Sequence, residues 1–272
     1  MKIGIDGMAL TIKFPCGTKH YAEQLLKALS EIDTVNEYII FAAKKVTIPI
    51  QRNFRLKIIN SPISFLKRQF FLAKVVKKEK VDVFHYLHPY GSALFDHPGI
   101  VTTVYDLQLN TIFPKLNGKY LFQHLYCLIT RHFVFKLTNS FISISNFTKS
   151  ELYEKLATIK KSADIYVSYL ATDSEFKTIS EKTQGKPQYL LSMGDYSPRK
   201  NVSLVIKAYS ILPISLRRKY GLKIVVSSAY ARLKINDKIK QIHGKVNIET
   251  ILSPDKHKLI SLYQQAACFI FP

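Results

Sequence analysis

Gly194-Asp195-Tyr196-Ser197-Pro198-Arg199-Lys200-Asn201 joins a short apolar run to a segment of helical period, which Asn201 would cap. A helix start carries partial positive charge and exposes N–H groups, so cations beside it are locally unfavourable unless an anion sits among them. Arg199 and Lys200 therefore point to a phosphate, with Gly194 at the strand end as part of the same site. The ordinary alternative is two solvated cations on a loop. Gly17, in Pro15-Cys16-Gly17-Thr18-Lys19-His20-Tyr21, would let backbone approach a ligand closely at a second helix start. Neither GxGxxG nor GxxxxGK[ST] is present, and a plain turn accounts for that spacing equally well. Tyr105 and Asp106 place a phenol and a carboxylate at the end of an apolar run, where open α/β sheets hold catalytic groups. A lone Asp there is also an ordinary cap for the next helix.

His85 and His88 have HxxH spacing, but no carboxylate motif accompanies them, so two ordinary histidines are the simpler reading. The sequence contains no Asp-x-Asp. Proteins that hold a divalent ion against a diphosphate usually cluster carboxylates. A diphosphate here would instead be neutralised by cations and helix dipoles, with no metal and no cofactor.

The elements that must carry these residues alternate. Strands are expected at Lys2 to Asp6, Tyr38 to Phe41, Leu56 to Ile59, Val81 to His85, Ile100 to Tyr105, Ser140 to Ile144 and Ile165 to Tyr169. They are continuous apolar runs, as in parallel sheets covered on both faces. Helices are expected at Thr18 to Ser30, Ile63 to Lys80, Lys119 to Leu137 and Asn146 to Ala157, the last entered through Ser145 as N-cap. After the polar stretch Lys177 to Lys186 the alternation restarts. It runs through strands at Tyr189 to Met193, Leu222 to Ser227, Val246 to Ile251 and Cys268 to Phe271. Between them lie helices at Asn201 to Leu212, Ala231 to Ile242 and Pro254 to Ala267. The expected fold class is α/β with two Rossmann-like domains and parallel sheets. Residues 1–176 form the first, 177–186 a linker, and 187–272 the first half of a second.

The chain of 272 residues is 47% hydrophobic, which argues against disorder and provides for a sizeable core. Its 40 Lys and Arg against 19 Asp and Glu give a formal charge of +21, so an anionic partner is expected. Nucleic acid is disfavoured because no recognition module is present and the cations are spread along the chain. Three dispersed cysteines without CxxC suit a reducing cytoplasm. Asp6 interrupts the N-terminal apolar run, so it reads as a strand, not a signal peptide. Segments Phe65 to Leu72, continuing to Lys77 and Lys78, and Tyr120 to Lys136 mix apolar and cationic residues as interfacial helices do, and as core-facing helices of a basic protein do equally.

Several segments together resemble family-4 retaining glycosyltransferases of the GT-B fold, particularly the bacterial mannosyltransferase-like group: GTKHYAEQLLKAL from Gly17, IVTTVYDL to Leu107, ISISNFTKSEL from Ile142, YLLSMGDYSPRKNVSLVIKAY from Tyr189 and LISLYQQAACFIFP to Pro272. The PRKN segment is the most specific. The resemblance implies a nucleotide-sugar donor on the C-terminal domain and a glycan or lipid-linked acceptor on the N-terminal one. It implies metal-independent transfer of a mannose- or glucose-type hexose with retained configuration. Arg199, Lys200, Gly17 and Gly194 would bind the donor diphosphate. Asp106 and Tyr105 would stand at the reacting sugar, Tyr105 where the family has histidine, and Ser145 and Asn146 would face the acceptor side. It also implies a cytoplasmic protein, peripheral on an acidic membrane surface. The family continues past the match to Cys268–Phe271 into a segment of paired glutamates. The sequence given stops before it, so an inactive truncated remnant or split half is the alternative expectation.

Overall fold

The computed structural model describes residues 1–12, 16–49, 51–59, 65–88, 99–107, 118–159, 163–173, 175–177, 189–196, 200–242 and 247–272, with backbone alone for 65–71, 118–124 and 126. The chain divides into two compact units, Met1–Ala171 and Thr172–Pro272.

The first unit contains β1 (Lys2–Asp6), a 3-10 turn (Gly7–Thr11), α1 (Gly17–Ile32), β2 (Glu37–Ala42), β3 (Phe54–Ile58), α2 (Phe65–Glu79) and β4 (Val83–Tyr86). It continues through β5 (Ile100–Val104), α3 (Gly118–Leu137), β6 (Ser140–Ser143), α4 (Asn146–Ala157) and β7 (Asp164–Val167). Its seven described strands are all parallel, in the order β3-β2-β1-β4-β5-β6-β7. Two apolar layers cover the sheet. Ile5, Ile40 and Leu87 pack with Ala22 and Leu26 of α1, while Phe41, Phe84 and Ile100 pack with Leu72, Val76, Val134, Phe135 and Leu152 of α2, α3 and α4. Burial on both faces accounts for the uninterrupted apolar character of the strands.

In the second unit come β8 (Tyr189–Met193), α5 (Val202–Ser210), α6 (Ile214–Lys219), β9 (Gly221–Val226), α7 (Ala229–Lys240), β10 (Ile248–Leu252), α8 (Lys256–Gln264) and β11 (Ala266–Ile270). Its four described strands are parallel in the order β10-β9-β8-β11. Val205, Ile206 and Tyr209 of α5 and Ala231 and Ile235 of α7 cover one face, and Leu262 of α8 the other. The helices start where side chains satisfy their first N–H groups. Ser228 accepts from the Ala231 N–H at 3.2 Å and Asp255 from the Lys258 N–H at 2.8 Å.

Both sheets are α/β and doubly wound, as expected. The differences are local. The helix expected over Asn201 to Leu212 ends at Ser210, and a second short helix, α6, begins after Pro213, which disfavours helix in the residue before it. The second unit begins at Thr172, where the first domain is expected to run to 176 and the second to start at 187; of the expected linker, 177–186, only Lys177 lies within the described residues. Residues 173 and 175–177 are fastened to α8. Lys256 Nζ reaches Asp173 Oδ2 at 2.7 Å and Glu175 Oε1 at 2.6 Å, Gln264 donates to the Lys177 carbonyl at 3.2 Å, and Phe176 packs on Tyr263. Among the described residues no helix is long and apolar enough to cross a membrane.

Candidate functional site

In a parallel sheet, ligands bind outside the carboxyl ends of the strands, at the point where strand order reverses. The first unit reverses between β1 and β4, and the second between β8 and β11.

At the first reversal, Asp6 ends β1, is buried, and accepts from the Met8 N–H at 3.0 Å. This carboxylate closes the turn that leads to α1. Cys16 precedes α1 without a side-chain cap, and a Cβ placed on Gly17 would meet nothing within 4 Å. The space over Gly17 is open to an approaching group. One turn on, the Tyr21 ring meets the Tyr105 ring edge-on at 5.3 Å, and the Tyr105 hydroxyl donates to the Leu87 carbonyl at 2.8 Å. Burial, reinforced by Tyr21, Cys16 and Asp6, holds the Tyr105 phenol far above its ordinary range. Tyr105 is thus a neutral donor tying the end of β5 to the end of β4. His85 Nε2 shares a 2.8 Å hydrogen bond with Thr103 Oγ1, and burial lowers its pKa to about 4. Burial likewise brings His88 down to about 4. Among the described residues no group of three His, Cys, Asp or Glu could hold a metal ion.

Ser145 caps α4. Its Oγ accepts from the Thr148 N–H at 3.1 Å and donates to Thr148 Oγ1 at 3.0 Å, and Thr148 Oγ1 donates to the Tyr105 carbonyl at 3.2 Å. Asn146 donates to the Tyr169 hydroxyl at 2.8 Å. Gly17, through Tyr21, and Ser145, through Thr148, are therefore gathered around Tyr105 and its neighbour Asp106 at one edge of the sheet. Sequence reasoning missed Arg131. It is 9% exposed on α3 and donates to the Leu107 carbonyl at 3.0 Å, one residue beyond Asp106. A buried arginine in an apolar helix is uncommon enough to have marked it.

At the second reversal, the Gly194 N–H continues the ladder by donating to the Val225 carbonyl at 3.0 Å. A Cβ on Gly194 would lie 2.7 Å from Val202 Cγ2 and 3.1 Å from Lys200 Cβ. Only glycine lets the end of β8 touch the start of α5. Lys200 Nζ lies 4.4 Å from the centre of the Phe271 ring, just past β11. Lys200 thus spans the β8/β11 reversal and Gly194 floors it. Arg199 lies outside the described residues with Ser197 and Pro198. Asn201 holds the N-cap position, but with φ 41° and no side-chain cap hydrogen bond, which corrects the expectation that its side chain caps α5. Its left-handed backbone makes the tight entry that seats Lys200 beside Gly194.

Similarity to known proteins is found in both sequence and fold. Residues 173–272 match the family model described as glycosyl transferases group 1. A stretch of 98 residues is 26% identical to the serotype-specific mannosyltransferase WbdA of Escherichia coli, covering 35% of this chain and 12% of that protein. Among solved structures, the sucrose-phosphate synthase of Thermosynechococcus elongatus superposes with a TM-score of 0.70 at 13% identity, over 98% of this chain and 74% of the other. WaaG, a glycosyltransferase of lipopolysaccharide biosynthesis, gives 0.66 at 13% identity, over 100% and 75%. Anabaena HepE, solved with UDP-glucose, gives 0.64 at 12% identity, over 100% and 73%.

Proposed function

We propose that this chain, whose second unit carries the group 1 glycosyltransferase sequence and whose two parallel sheets have the GT-B fold, transfers a hexose of the mannose or glucose type from a nucleoside-diphosphate sugar to a glycan or lipid-linked acceptor, with retained configuration. The observation that carries this reading is the β8/β11 reversal, where Gly194 brings strand end and helix start together and Lys200 lies across the opening. A cation fixed there meets the charge that develops on the departing diphosphate, so its contribution grows towards the transition state. Arg199, next in the chain, supplies the second cation. Asp106 and Tyr105 are assigned to the reacting sugar, Tyr105 by positioning through its bond to Leu87, and Gly17 to close approach by the diphosphate. Ser145 and Asn146 shape the acceptor side, Ser145 chiefly by fixing the start of α4.

Calorimetry with UDP and GDP tests the donor site. Lys200→Ala removes a charge-assisted hydrogen bond worth on the order of 1.5–3 kcal/mol, so affinity should fall about ten- to a hundredfold. EDTA should leave binding unchanged, because the charge is met by cations. Equal affinity in the two proteins would make the assignment of Lys200 wrong. Binding without transfer of sugar from any donor would leave the nucleotide site standing and overturn the enzymatic reading.

We also assign an acidic membrane surface as a partner of the first unit. The support is the +21 charge together with the outward face of α3, where Leu125, Leu128, Ile129 and Phe133 are exposed beside Lys136.

A further inference from the structure

Between α1 and residues 44–49 and 51 lies a groove of about 860 Å³, within the roughly 300–1,000 Å³ usual for small-molecule sites. It opens at the same carboxyl edge of the first sheet as Asp6 and Gly17, because β2 runs parallel to β1 and the chain leaves it at Ala42. Its walls differ in charge. The α1 wall is balanced: Lys19 and Lys27 alternate with Glu23 and Glu31 at helical spacing, and Lys19 Nζ lies 3.9 Å from Glu23 and 3.2 Å from the Ile12 carbonyl. The opposite wall carries Lys44 and Lys45 with no acid among the described residues. Both lysines are exposed, and neither forms an ion pair with a described residue. Between the walls the floor is apolar, formed by Leu10, Leu26 and Val46.

An apolar floor with an uncompensated cationic rim on one side matches a molecule that has an apolar body and a single anionic head. We propose that this groove binds a lipid phosphate, its hydrocarbon chain along Leu10, Leu26 and Val46 and its phosphate at Lys44 and Lys45. Lysine suits such a head as a mobile point charge. The proposal rests on reading the first unit as the acceptor side, and it names the acceptor class as a lipid-borne phosphate. Glu23 and Glu31 leave the α1 wall without net attraction for an anion, so the head is held by the 44–45 side.

Monomeric farnesyl phosphate is the probe, titrated calorimetrically into the full chain beside methyl phosphate and farnesol. Farnesyl phosphate should bind at least about tenfold more tightly than either, because floor and rim each contribute. Lys44→Ala with Lys45→Ala should remove most of that advantage while leaving UDP affinity and the far-UV spectrum unchanged. Equal binding of farnesol and farnesyl phosphate, or a double variant that binds as the parent does, overturns the groove assignment. Methyl phosphate binding as tightly as farnesyl phosphate also overturns it, in favour of free phosphate. Lysine-dependent binding without sugar transfer sustains the groove and removes the glycosyltransferase reading. Sugar transfer without farnesyl phosphate binding does the reverse.

Discussion

His85 and His88 stand at the end of β4, where burial brings both pKa values to about 4. Unfolded, each would titrate near 6.5. Between these values the unfolded chain takes up protons that the folded chain refuses, so stability falls as pH falls through that window. The slope approaches about 1.4 kcal/mol per pH unit for each histidine. In urea titrations followed by far-UV circular dichroism, the midpoint of the first unit should drop between pH 6.5 and 5, before most carboxylates titrate. His85→Gln should remove about half of that dependence. A midpoint unchanged over this range would show that the imidazoles are not held neutral by burial. At this scale the sequence was legible where a residue's own chemistry decides its contacts. Ser145 could be read as a cap because a hydroxyl before a helix has few better uses. Tyr105 could be placed but not understood, since its partner, the Leu87 carbonyl, lies 18 residues away and is brought near only by strand pairing. Asn201 was misread because a left-handed entry depends on how tightly β8 abuts α5, which Gly194 and Val202 decide together.

Helix α3 shows what patterning can and cannot specify. Thr130, Arg131, Val134 and Phe135 turn inward, while Leu125, Leu128, Ile129 and Phe133 are 51%, 36%, 46% and 44% exposed. Apolar residues on both sides satisfy helical composition but leave the periodicity without a polar face from which to read orientation. A helix apolar on its outer side needs a second apolar surface. With Ile129→Glu and Phe133→Glu, recovery of the chain with vesicles containing anionic lipid should fall severalfold in flotation, since each change puts a charge into the apolar face. The parent should float poorly with neutral vesicles. Unchanged recovery of the variant would exclude this face from docking. Strand ends drifted for a related reason. The strand expected at Val81 to His85 is Val83–Tyr86, because pairing with Ile3, Gly4 and Ile5 of β1 fixes its register.

Across the molecule, the repeated alternation of apolar runs and helical segments was enough to foresee two parallel sheets, because strands covered on both faces cannot alternate in polarity. The division between the units was less legible. Asp173 and Glu175 fall at the end of the first domain as read from sequence, yet Lys256, some eighty residues on, fastens them to α8. Such long-range ion pairs leave no local trace. The strand orders could not be read from composition either, and they bring the candidate sites to the two reversals.

Those reversals also bear on the order in which the molecule becomes itself. In the first unit β1, β2 and β3 are neighbours both along the chain and in the sheet, whereas β4 must return to β1 across the whole intervening sequence, with Lys2 N–H donating to Asp82. Loop closure over that separation carries more entropy than pairing of adjacent strands, and non-local pairings slow folding. In pulsed hydrogen exchange during refolding, the amides shared by β1 and β2 should be protected before those shared by β1 and β4; simultaneous protection would contradict this sequence of events. On a growing chain the groove beside α1 would then take shape while the edge carrying Tyr105 and Asp106 was still being synthesised, so the surface proposed for lipid phosphate would form before the one proposed for sugar.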